Sequence, residues 1–106
     1  MTGLLCAFLA LLAPSQVDAR LAGASRHDQA GWINLHLQGK PRDIGYQYGF
    51  LAAAEIDDAH KALALSFSRA PYDWAWARKT AQELFWNKLD PEYRQEIQGQ
   101  AEGLSQ

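Results

Sequence analysis

Residues 39–56 read "GKPRDIGYQYGFLAAAEI". The spacing predicts a helix, yet Gly45 and Gly49 fall inside it, one turn apart. Glycine costs roughly 0.5–1 kcal/mol relative to alanine in a helix interior. Two of them on one face imply that another backbone comes close there. On a helical wheel Gly45, Gly49 and Ala52 lie near the packing side. The apolar arc runs through Ile44, Tyr48, Leu51, Ala52, Ile56, Ala59, Ala62 and Leu63, with Gln47, Asp57, Asp58 and Lys61 opposite. The predicted helix extends from about Arg42 to Ser66, and Asp57 and Lys61 support it as an i,i+4 pair.

On the N-terminal side, "WINLHL" (32–37) alternates. Ile33, Leu35 and Leu37 face one way; Trp32, Asn34 and His36 face the other, as in a strand with one apolar face. Gly39 and Pro41 end it in a turn. No partner strand is evident, and a lone strand leaves its backbone unpaired. Residues 20–30, "RLAGASRHDQA", are small and polar and read as a flexible segment.

On the C-terminal side, "SRAP" (68–71) breaks the pattern. Pro71 is expected to open a second helix over about 72–88, with Trp74, Ala77, Ala81, Leu84 and Phe85 inward. Asp90, Pro91 and Glu92 form a helix start signal. The third helix carries Tyr93, Ile97, Ala101 and Leu104, and repeats the glycine spacing at Gly99 and Gly103. In an apolar segment this spacing would suggest membrane dimerisation. Here the flanking residues are polar. The chain is therefore read as mainly α: one N-terminal strand and about three helices.

The 106 residues allow one small domain. "LLCAFLALLA" (4–13) is an apolar run, and Val17 and Ala19 suit a signal-peptidase site. Residues 1–19 are thus read as a cleaved leader that directs the chain to secretion or the periplasm, with an uncleaved membrane anchor as the alternative. The run is too short to span a membrane stably. Cleavage after Ala19 removes Asp18, one of 12 acidic residues, and keeps all 10 basic ones. The near balance speaks against a nucleic-acid surface. The single cysteine, Cys6, lies in the leader, so the rest holds no disulfide, thiolate site or cysteine nucleophile.

Candidate chemistry is sparse. His27, His36 and His60 have no metal-ligand spacing to one another, and Asp57 with His60 makes only two ligands. Ser66, Ser68 and Ser105 lack a nucleophile-elbow context. Accordingly no catalytic, metal or cofactor-binding residue is assigned, and no cofactor is expected. Glu55 falls within the apolar arc, where a carboxylate is paired, raised in pKa, or at the arc's edge with its head in water; if buried beside a cleft it is a functional candidate. Trp74, Trp76 and Trp86, with Tyr72 and Phe85, exceed what one narrow helix face can bury. They call for a cover outside this segment, or for a partner.

Taken in order, Gly31-Trp32, a strand, and Gly39-x-Pro41-x-x-x-Gly45-Tyr46-Gln47-x-Gly49-x-Leu51 resemble the N-terminal region of the C45-type autoproteolytic acyltransferases and hydrolases. These include proteins similar to isopenicillin-N acyltransferase and the phospholipase B-like hydrolases. Glu96-Ile97-x-Gly99 and Gly103 resemble that family's Glu-Leu-x-Gly-x-x-x-Gly. The likeness covers residues 31–106. It implies an N-terminal-nucleophile hydrolase fold, with two sheets between helix layers. In such proteins a cysteine freed by self-cleavage attacks an amide or ester carbonyl, with its own α-amine as base. No cysteine follows residue 6. The expectation is therefore the N-terminal part of a secreted hydrolase, a truncated domain lacking the nucleophile, whose partner is the remainder of the same polypeptide. That neighbour, expected to be a sheet, would also receive the glycine face. The alternative is a small secreted helical protein that binds a partner through its tryptophan-rich helix.

Overall fold

The computed structural model describes residues 18–106. The apolar run, Cys6 and Val17 lie outside the described residues. A 3₁₀ turn (Ala19–Leu21) leads into an antiparallel hairpin, β1 (Ser25–Gln29) and β2 (Trp32–His36). Four helices follow: α1 (Pro41–Leu51), α2 (Ala53–Ser66), α3 (Trp74–Leu84) and α4 (Pro91–Leu104).

The strand at 32–36 is thus not alone. Ser25 pairs with His36, Arg26 with Leu35 and Gln29 with Trp32. β1, "SRHDQ", has no apolar residue, so alternation does not disclose it within the stretch that reads as flexible. The hairpin turns through Ala30 and Gly31, with φ of 51° and 82°. Left-handed geometry at both central residues matches the right-handed twist of the strands. Gly31 takes it freely; Ala30 does so against its Cβ.

The long helix expected over 42–66 is two helices. At Ala52 (φ −111°, ψ 25°) the backbone leaves helical geometry, and α2 restarts at Ala53. The second helix also starts later than Pro71 suggested. Asp73 caps it, its carboxylate accepting from the Trp76 amide at 2.9 Å. The helix ends at Leu84, and Trp86–Lys88 form a separate 3₁₀ turn. Pro91 opens α4 as expected, but Asp90 accepts the first amides through its backbone carbonyl rather than its side chain.

The organising contact is α1 against α4. Gly45, Tyr46, Gln47 and Gly49 are the buried residues of α1, and Gly99 and Gly103 those of α4. A Cβ placed on Gly45 would overlap the Glu96 carbonyl, and one on Gly49 the Gln100 carbonyl. From the other side, a Cβ on Gly99 would overlap the Arg42 carbonyl, and one on Gly103 the Tyr46 carbonyl. The helices therefore cross backbone to backbone, each filling the space the other's glycines leave open. The neighbour of the glycine face is thus α4 of the same chain, not a sheet encoded beyond it.

This contact also redraws the expected faces. Gln47, placed on the polar side, is 1% exposed, while Tyr48, placed on the apolar arc, is half-exposed. On α4, Tyr93, Ile97 and Leu104 are exposed, and the glycines take the packing face. At the end of α3, Leu84 and the following Phe85 are exposed rather than inward.

Candidate functional site

Three polar fastenings hold the crossing to the N-terminal segment. The first is Gln47. Its side-chain nitrogen donates to the carbonyls of Arg20 and Gln38, both at 2.8 Å, and its oxygen accepts from the Gln38 amide at 2.9 Å. A buried amide so satisfied offsets its own desolvation. It also pins two chain segments, on either side of the hairpin, to one position on α1.

The second fastening is Arg26. Its guanidinium contacts Asp28 twice, at 2.8 and 3.0 Å, and Glu55 twice, at 2.9 and 2.7 Å. It also donates to the Leu51 carbonyl at 2.8 Å. All five guanidinium N–H donors are thereby used. Leu51 is the last residue of α1, where the helix break leaves a carbonyl in need of a donor. Glu55, a carboxylate on the apolar arc, is thus the anchor that holds the hairpin over the α1–α2 junction. Arg26 keeps the Glu55 and Asp28 carboxyls below their ordinary range, and is itself pushed up by the pair.

The third joins the N-terminal turn to both helices. Glu102 of α4 accepts from Arg42 of α1 and from Arg20, the latter at 3.2 Å. The Arg42 hydrogen bond holds its carboxyl low. The Arg20 guanidinium lies 3.6 Å from the centroid of the buried Tyr46 ring, and the Tyr46 hydroxyl donates to Asp18. That hydrogen bond lowers the Asp18 carboxyl and raises the Tyr46 phenol.

The aromatic residues gather at the α2–α3 elbow. His60 meets Trp74 edge-on at 5.2 Å between ring centroids, and Tyr72 meets Trp76 edge-on at 4.9 Å. Phe67 lies 6.4 Å from both tryptophan rings. His60 is therefore an aromatic packing partner. His27 and His36 are exposed on the hairpin. Ser66 and Ser105 donate back to the carbonyls of Ala62 and Glu102, as at helix ends. Among the described residues no group of three or more His, Cys, Asp or Glu side chains could hold a metal ion.

Much apolar surface stays open. Leu65 of α2 is 74% exposed and Phe85, just after α3, is 61% exposed. On the hairpin Trp32 is 75% exposed. An open cleft of about 600 Å³ lies along Ala53, Ile56, His60 and Leu104. Another, of about 380 Å³, lies between Phe85, Trp86, Leu89 and Ile97. Among the described residues no helix is long and apolar enough to cross a membrane.

The fold and these fastenings define a helix-crossing module with an attached hairpin. No protein-family model, curated protein or solved structure matches the chain.

Proposed function

We propose that residues 31–106 are a non-catalytic helical layer of a secreted amide or ester hydrolase or acyltransferase of the C45 autoproteolytic type. In this reading the glycine crossing gives the layer its shape, and the open apolar side chains of α2, α3 and α4 receive the rest of the enzyme. The nucleophile is a cysteine outside this segment, because residues 31–106 contain none and the single cysteine of the given sequence is Cys6.

One observation carries the reading. The two stretches that resemble the family, around Gly45/Gly49 and Gly99/Gly103, meet each other in a single backbone contact. Two motifs that look separate in the sequence thus serve one structural purpose. The uncovered aromatic surface supports it further, since contiguous apolar patches on soluble proteins mark surfaces that meet something else.

The coding sequence beyond codon 106 tests this directly. The expected result is an open frame containing a cysteine at a self-cleavage junction. The segment alone should then hydrolyse neither amides nor esters, and the full-length protein should lose activity when that cysteine is changed to alanine. A stop codon after Gln106, with a sharp two-state melt of the chain expressed without its leader, would overturn the proposal in favour of a small secreted partner-binding protein.

A further inference from the structure

The fold uses a residue that cleavage after Ala19 would discard. Asp18 caps the first 3₁₀ turn, its carboxylate accepting from the Arg20 amide at 3.0 Å. It also accepts the hydroxyl of Tyr46, a side chain only 1% exposed. A cut between Ala19 and Arg20 would leave that hydroxyl without its acceptor. It would also turn the capped Arg20 amide into a free ammonium, next to a guanidinium already stacked on the Tyr46 ring. The Arg20 carbonyl is held by Gln47, so the new terminus could not simply move away from the site.

The sequence contains a second small-residue pair ahead of Asp18. Ala13 and Ser15 have the same spacing as Val17 and Ala19; Ala13 closes the apolar run and Ser15 stands two residues after it. Leader peptidases select small residues at these two places.

We propose that the leader is removed between Ser15 and Gln16, so that the mature chain begins at Gln16 and keeps Asp18 as part of its fold. The proposal rests on the reading of the N-terminal run as a cleaved leader. It goes further by assigning the junction and giving the residues after it a structural purpose. The Asp18–Arg20 segment is then a strap tying the mature N-terminus to α1 through Tyr46 and Gln47, and to α4 through Glu102.

The test is peptide-mapping mass spectrometry of the full chain secreted from a host with a general leader peptidase. The expected N-terminus is Gln16, free or cyclised by attack of its α-amine on its side-chain amide with loss of ammonia. The variant Ser15→Leu should abolish the processed product, and Ala19→Leu should leave its amount and its N-terminus unchanged. A mature N-terminus at Arg20, with processing lost in Ala19→Leu, would overturn the proposed junction while leaving the leader reading intact. Recovery of only the unprocessed chain would overturn both.

Discussion

Gly45 of α1 lies against the main-chain carbonyl of Glu96 on α4, with no room for a side chain between them. Gly99 answers it from α4 against the carbonyl of Arg42. The chain builds this close contact from the residue that packs least, because at this crossing the two backbones are themselves the packing surface.

Replacing Gly45 or Gly99 with alanine therefore reverses the usual sign. In an exposed helix such a change stabilises by roughly 0.5–1 kcal/mol. Here the added methyl meets backbone that cannot rotate aside, and we expect a loss of about 3 kcal/mol, the top of the usual overpacking range. Chemical denaturation of the single variants checks this. A neutral or stabilising effect at either position would mean that the helices do not cross here.

Gln47 makes a sharper chemical test. Gln47→Leu leaves two carbonyls and an amide without their partner and should cost about 2–4 kcal/mol. Gln47→Glu keeps the acceptor for the Gln38 amide but sets a carboxylate against the carbonyls of Arg20 and Gln38. The folded state then favours the protonated acid, which can donate to one of them. A raised folded-state pKa gives stability that is present at low pH and lost as pH rises through it. The Glu variant should therefore melt closer to wild type at about pH 4 than at about pH 7, measured by thermal unfolding across that range.

Arg26 and Glu55 predict the opposite slope. The Glu55 carboxyl is held below its ordinary 4.5, so its contribution is complete above that value and disappears as pH falls through the lower folded value. Glu55→Gln should lower the melting temperature by a constant amount near neutrality, and the gap should close in acid. Arg26→Lys should also destabilise, because one ammonium cannot serve Asp28, Glu55 and the Leu51 carbonyl together. An Arg26→Lys variant as stable as wild type would show that the five-donor arrangement is not formed in solution.

The hairpin turn offers a gain. Ala30 holds φ 51°, a conformation that asparagine tolerates better than alanine. Ala30→Asn should stabilise by up to about 1 kcal/mol, read from the denaturation midpoint.

Several of these features are visible in the sequence and others are not. The glycine spacings, the Pro91 helix start and the Asp57–Lys61 pair, found at 2.6 Å, follow local rules that sequence displays. Which partner the glycines meet is a long-range fact: α1 and α4 each carry a glycine pair, but nothing local joins them. Gln47 reads as solvent-facing because its three partners come from segments with no regular pattern. β1 escapes because Arg26 serves the inner face through charge, and alternation registers only apolar residues. Glu55 stands out as a carboxylate on an apolar arc, but its partner, Arg26, lies in the stretch that reads as flexible.

The central claim is that α1 and α4 cross backbone to backbone within this chain. A Cβ on Gly45 would lie 3.0 Å from the Gln100 amide nitrogen, and one on Gly99 would lie 3.0 Å from that of Tyr46. Proton nuclear magnetic resonance of the labelled protein measures this most directly. The account predicts Overhauser contacts from the Gly45 Hα protons to the Gln100 amide and from the Gly99 Hα protons to the Tyr46 amide. Both helices present in the chemical shifts, with neither contact between them, would contradict it.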